Sequence, residues 1–256
     1  MGVIKTDQWL HDLYDKPILI CAKLEEYFPG GTADDIFSYL VRNGMYRSPS
    51  KDKKKFIEYL QKKNFWEVTS REFDLLRAKW QGPDIPIFIF PSDSNNRKLS
   101  KDFNGKSGVA FTDKLFLFIS EKTTENELKA LFTHEYNHVC RLKHHAKDSS
   151  KYNLLDAIIL EGLAEYMVGE QLGEALQANW TTYYPAAQIK KWIDHIIIPN
   201  SKLTPNNRKY EAILYGRNLY PKMLGYCAGY QLVEAFTKKS KVKGKDLLKL
   251  DSETFL

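Results

Sequence analysis

Three cysteines in 256 residues, Cys21, Cys140 and Cys227, are too few and too widely spaced for a disulfide framework. Each lies in an apolar or helical stretch, so they read as buried free thiols in a reducing compartment, and the location expected is cytoplasmic. No apolar run approaches the ~18 residues of a membrane span, which argues against insertion. The net charge is +6, yet no zinc-finger, RNP or helix-turn-helix signature accompanies it. Lys and Arg alternate with Asp and Glu except in short runs at 51–55 and 238–245, which read as solvated faces. Nucleic-acid binding would want a basic stripe joined to a reader motif, so no nucleic-acid partner is expected. Repeats at solenoid periods are missing too.

Hydrophobic residues at 43% and charged residues at 27% are ordinary for a folded globular chain, and the length suffices for a sizeable core. The pattern predicts an α+β, mostly helical protein in three regions. Residues 1–82 form a helical N-terminal region, 83–175 a core with the strands, and 176–256 a helical C-terminal lobe. In the first, Thr32 and Asp35 have the spacing of a capping box, with Gly44 as the stop. Trp66, Phe73, Leu75, Leu76 and Trp80 give a later helix its apolar stripe, read as core. Ile85–Phe90 is β-branched and aromatic between prolines and predicts a strand; Val109–Ile119 predicts a second, after an exposed loop over 92–106. Helical patterning resumes at Thr123, with a break over 198–208 around Pro199, Asn200, Pro205 and Asn206.

The chemistry lies in Leu131-Phe132-Thr133-His134-Glu135-Tyr136-Asn137-His138-Val139. Thr124 and Glu127 cap a helix whose apolar positions Leu128, Leu131, Val139 and Leu142 carry it through the motif. Four residues turn a helix by about 400°, so His134 and His138 project from one side and can grip a single ion. Glu135 is turned by about 100° from His134, beside the ion rather than on it, where it can accept a proton from water as general base.

A third ligand is offered by Glu161, in a stretch from Leu154 to Val168 that is apolar almost all round and so predicts a buried helix. A carboxylate there needs a cation or strong hydrogen bonds. Metal coordination meets that need, and a buried arginine pair is the alternative. Glu165 shares the face one turn on and is expected to orient a ligating histidine. Two neutral imidazoles and one carboxylate suit Zn²⁺ with its last position open to water, which is the arrangement of a hydrolytic site.

His134-Glu135-Tyr136-Asn137-His138-Val139, Glu161-Gly162-Leu163-Ala164-Glu165-Tyr166 at 23 residues beyond His138, and Gly225-Tyr226-Cys227-Ala228-Gly229-Tyr230 together resemble the YjaZ-type predicted zinc-dependent proteases. More broadly they resemble the gluzincins, the thermolysin-like HExxH metallopeptidases, although thermolysin has Asn-Glu where this chain has Glu161-Gly162 preceded by leucine, and an aspartate in place of Glu165. The resemblance implies a gluzincin fold with a small β-sheet over the active-site helix and a helical second lobe. It implies zinc on His134, His138 and Glu161, with Glu135 as the base. It also implies that Ser107–Phe111 pairs with an extended substrate as an edge strand, against the alternative of an ordinary core strand. A Tyr or His of the C-terminal lobe would donate to the oxyanion; Tyr226, among small neighbours, is the choice, against a tyrosine merely packed in a helix core. The function expected is a zinc metallopeptidase acting on peptides or unfolded protein. The rivals are a non-catalytic zinc-binding regulatory or interaction protein, and a hydrolase of some non-peptide amide.

Overall fold

The structure, a computed structural model, describes the chain except for residues 50–52, 98, 100–104 and 146–150, with the backbone alone at 53–55. It divides into two compact units, Met1–Val139 and Cys140–Leu256.

The first unit contains a four-stranded mixed sheet, β1 (Gly2–Val3), β2 (Pro86–Pro91), β3 (Ser107–Ala110) and β4 (Leu115–Ile119), in the order β1-β2-β4-β3. β1, β2 and β4 run parallel, and β3 is antiparallel to β4 at one edge. Every residue of β2 and β4 is buried, which is why both read as continuous apolar runs rather than alternating ones. Their register sets Phe88 opposite Phe116, with the rings stacked at 4.8 Å. The predicted strand Ile85–Phe90 is β2. The predicted strand Val109–Ile119 is instead a hairpin. Phe111 donates its N–H to the Lys114 carbonyl at 3.0 Å and closes a turn through Thr112 and Asp113. The turn was masked in the sequence because its flanks are apolar and Lys114 is itself buried, its ammonium 4.8 Å from the Phe28 ring and 4.7 Å from Phe111. The expected loop at 92–106 lies partly outside the described residues, and in its described part Leu99 is buried.

Helices α1 (Thr6–Leu13), α2 (Pro17–Ala22), α3 (Ala33–Arg42), α4 (Lys53–Lys62) and α5 (Phe65–Trp80) belong to this unit. The capping box at α3 is present: Thr32 Oγ1 accepts from the Asp35 N–H at 3.3 Å, and the Asp35 carboxylate accepts from the Thr32 N–H at 3.4 Å. On α5, Trp66, Phe73, Leu76 and Trp80 are buried as expected, but Leu75 is 53% exposed because it falls beside the stripe rather than on it. Next comes α6 (Glu125–His144), capped by Thr124, whose Oγ1 accepts from Glu127 N–H while the Glu127 carboxylate accepts from Thr124 N–H. Phe132 and Tyr136 fix its roll, since Tyr136 lies 5.4 Å from Phe73 and is stacked on Trp80 at 6.0 Å, with its hydroxyl bonded to the Pro83 carbonyl.

In the second unit, α7 (Leu154–Leu172) is buried on most sides, as its composition requires. Asn153 and Asp156 form its capping box. α8 (Ala186–Trp192) continues through a π-helical turn at Ile193–Ile197 and helical Ile198–Asn200, so the break expected from 198 begins only at Ser201, Pro199 being accommodated in a first helical turn, before α9 (Arg208–Tyr215) and α10 (Leu224–Lys239). α7 and α10 meet at two glycines. A Cβ on Gly162 would run into the Gly229 backbone, and one on Gly229 into Ile158. The C-terminal residues are anchored by buried Arg141, which donates to the carbonyls of Leu248 and Leu250 and to Ser252 Oγ. Ser252 in turn donates to Asp156 at 2.6 Å. Among the described residues no helix is long and apolar enough to cross a membrane.

Candidate metal centre

On α6 the i,i+4 spacing places His134 and His138 side by side, with ring centroids 4.6 Å apart and planes near perpendicular at 81°. His138 is buried and His134 half-buried. Glu135 lies on the next face of the helix and is 8% exposed, set against the edge strand β3. The approach is close enough that a Cβ on Gly108 would stand 2.5 Å from Glu135 Cδ and 2.7 Å from Oε1. Only glycine leaves the carboxylate room there.

The third expected ligand comes from α7. His134, His138 and Glu161 each offer one donor atom, and these atoms lie within 4.8 Å of one another, so the three form a group that could hold a metal ion. One ion can span that distance after modest side-chain rotation, and two imidazoles with one carboxylate are a donor set that fits Zn²⁺. Glu165, one turn on and 4% exposed, has a task the sequence did not disclose. Its Oε1 accepts the Ala178 N–H at 2.5 Å, and its main-chain carbonyl accepts Gln177 Nε2 at 3.0 Å. Gly169 makes the second bond possible, since a Cβ there would stand 2.8 Å from Gln177 Cδ. Glu165 thereby fastens the turn that carries Trp180.

Tyr226, on α10, is half-buried and belongs to an aromatic cluster. Its ring lies 5.3 Å from Trp180, edge to face, and 5.9 Å from Tyr215 at the end of α9. Burial pushes the Tyr215 phenol up, with the charges of Glu161 and Glu211 adding to the shift, while Arg217 and hydrogen bonding with Tyr226 act the other way. Tyr210 is pushed up to about 12, first by burial and then by Tyr215, Asp156 and Glu161. Tyr215 thus lies against the Tyr226 ring and within electrostatic reach of Glu161. Nothing in the motif spacing joins Tyr215 to Tyr226, because α9 and α10 are separated by a loop of irregular backbone. The expected smallness around Tyr226 is present but serves packing: a Cβ on Gly225 would lie 2.8 Å from Leu214 Cα.

An HExxH helix with a glutamate brought to it from a second helix is the layout of a candidate zinc hydrolase site. Consistent with this, the chain belongs to the family described as "Predicted Zn-dependent protease (DUF2268)", whose match covers residues 65–256. It is 40% identical over 221 residues to the protein "Uncharacterized protein YjaZ" of Bacillus subtilis (strain 168), covering 86% of this chain and 84% of that one. A more distant likeness, 21% identity over 182 residues, is to "Uncharacterized protein YjfC" of the same organism, covering 68% of this chain and 60% of that one. No solved structure matches.

Proposed function

We propose that the protein is a zinc-dependent peptidase of the gluzincin type in which His134, His138 and Glu161 hold the metal and Glu135 is the general base. The observation that carries this reading is the convergence of those three donor atoms within 4.8 Å. Zinc in such a site supplies a Lewis acid for the scissile carbonyl and lowers the pKa of water in the open position.

The chain's own residues do the rest. Glu135, constrained by β3 across Gly108, takes the proton of the attacking water and returns it to the leaving amine. β3 is the edge strand of its sheet, so its outer edge is offered to an extended peptide by strand addition. Tyr226 is assigned to the group that steadies the oxyanion. The substrate class is peptides or unfolded protein.

Elemental analysis of purified protein, joined to a peptide-library digest with and without chelator, tests the reading. About one zinc per chain and chelator-sensitive cleavage are expected, with Glu135→Gln keeping the metal and losing several orders of magnitude in rate. A chain that holds zinc and cleaves nothing would favour a non-catalytic zinc-binding protein, and a chain that takes up no zinc would overturn the site.

A further inference from the structure

Along an antiparallel strand the backbone groups that bond the partner alternate with those that point away, and side chains alternate between the two faces. Phe111 bonds Lys114 at the hairpin turn, so the inward groups pair Val109 with Phe116 and Ser107 with Phe118. The N–H and C=O of Gly108 and Ala110 therefore point out from the sheet edge. Gly108 faces Glu135, and Val109 and Phe111 belong to the opposite face. A peptide strand added at this edge bonds Gly108 and Ala110, and its residue opposite Val109 turns its side chain away from Glu135. We propose that this side chain is read by an aromatic shelf formed by Phe111 and Tyr39, so that the protein selects peptides with an aromatic residue at that position. The inference rests on the peptidase reading and names what its substrate must carry.

The shelf is fixed from beneath. Phe111 meets Phe28 edge to face at 5.6 Å and Phe116 at 6.1 Å. The buried Lys114 ammonium stands 4.7 Å from the Phe111 ring and 4.8 Å from Phe28, and it donates to Asp113 at 2.9 Å, so one cation holds both rings. Tyr39, on α3, adds its ring to the shelf 5.8 Å from Phe111 at an angle of 45°. The end of α3 is fastened to β3 as well. Four residues beyond Tyr39, the Asn43 carbonyl accepts from Ser107 Oγ at 2.9 Å, and a Cβ on Gly44, whose φ is 121°, would strike that same hydroxyl. α3 thus touches β3 at Ser107 and at Phe111, and the outward edge of Gly108 and Ala110 lies between those two contacts.

Exposure shows which part of the shelf is open. Phe28 and Phe111 are half-buried, whereas Tyr39 is 36% exposed even though it packs on Phe111. Diagonal neighbours on adjacent strands lie about 7–8 Å apart, a gap that an aromatic side chain spans and a methyl group does not. A Phe or Tyr opposite Val109 therefore reaches Phe111 and Tyr39, and an Ala there reaches neither. With Lys114 paired to Asp113 and covered by two rings, the shelf offers ring surface rather than charge, which suits an aromatic side chain better than an acidic one. Tyr39 and Phe28 precede residues 65–256, the stretch that the family match covers, so this part of the shelf comes from outside it.

The test uses the full zinc-loaded chain and matched peptides that carry Phe or Ala at each of the two positions on either side of the cleaved bond. Wild type should favour Phe at one of these positions by about 10- to 100-fold in kcat/KM, and Tyr39→Ala should cut that ratio to about threefold. Tyr39→Phe, which keeps the ring, should leave the ratio as in wild type. Binding is read separately, by fluorescence anisotropy of the same peptides on zinc-loaded Glu135→Gln, with and without Tyr39→Ala. It should show the same preference and the same loss. A chain that cleaves peptides but has no preference that falls in Tyr39→Ala overturns the shelf and leaves the peptidase reading standing. A wild-type chain that cleaves none of the peptides overturns the peptidase reading. In that case a Phe preference in binding that disappears in Tyr39→Ala still supports the shelf, and equal binding of Phe and Ala peptides overturns it too.

Discussion

Gly108 and Glu135 touch so closely that the Glu135 side chain fills the space a Cβ on Gly108 would need: a methyl there would stand 2.5 Å from Glu135 Cδ. The carboxylate is thus held from one side by β3 and from the other by its own helix. Gly108→Ala should force Glu135 into another rotamer while leaving His134 and His138 where they are. A displacement of about 1 Å at a reacting group can lower a rate by about 10²-fold. We expect that loss in kcat with zinc content unchanged, measured on the same preparation. Full activity in Gly108→Ala would show that the strand does not position the base.

The two glutamates of α7 separate by their contacts. Glu161 offers a donor atom to the candidate ion, whereas the Oε1 of Glu165 is engaged by the Ala178 N–H. Glu161→Ala is expected to abolish tight zinc binding. Glu165→Ala should weaken it by about 10- to 100-fold, as the loss of a supporting contact does, and should also loosen the turn bearing Trp180. Zinc titration against a competing chelator gives the first quantity, and Trp fluorescence reports the second. The opposite ranking in zinc affinity would move the third ligand to Glu165.

Features fixed by local geometry were legible in the sequence. The pairing of His134 with His138, and the offset of Glu135, follow from the helical period alone, and Thr124 with Glu127 marks where that period starts. β2 was legible from its composition and flanking prolines. What depends on neighbours distant in sequence was not. The run Val109–Ile119 hid a turn because Lys114 is covered by Phe28, a residue far away in the chain. The small neighbours of Tyr226 include Gly225 and Gly229, and these admit Leu214 and Ile158, which lie on other helices. The ring contact of Tyr226 with Tyr215 needs α9 and α10 brought together by a turn in which Gly216, Asn218 and Met223 have left-handed φ, and no periodicity announces that.

Cys21 and Cys227 are both buried, and burial pushes each thiol up to about 12 from about 9, with Asp34 adding to the effect at Cys21. The thiolate is the reactive form, so a rise of that size lowers its fraction by about a thousandfold at any pH below both values. Native protein at pH 8 should therefore resist alkylation at these two positions, and both should label in denaturant. Peptide mass mapping after brief iodoacetamide treatment checks this. Fast native labelling of either residue would contradict its burial.

The contact of Gly162 with Gly229 makes the helix carrying Glu161 sensitive to a single carbon. A Cβ on Gly162 would meet the backbone carbonyl carbon and oxygen of Gly229 and the amide of Tyr230, none of which can rotate away, so α10 would have to shift as a body. Overpacking of this sort costs about 1–3 kcal/mol, and the gain in helix propensity from Gly to Ala returns about 1 kcal/mol at most. Gly162→Ala is therefore expected to lower stability by about 1 kcal/mol. The displacement also falls next to Glu161 and one turn from Tyr226, so zinc affinity should drop with it. Glu170→Ala, at an exposed position on the same helix, is the control and should change neither quantity appreciably. Denaturant midpoints at unchanged m-value, with zinc content measured in parallel, decide the matter, and a Gly162→Ala chain as stable as wild type would mean that α7 and α10 do not meet backbone to backbone.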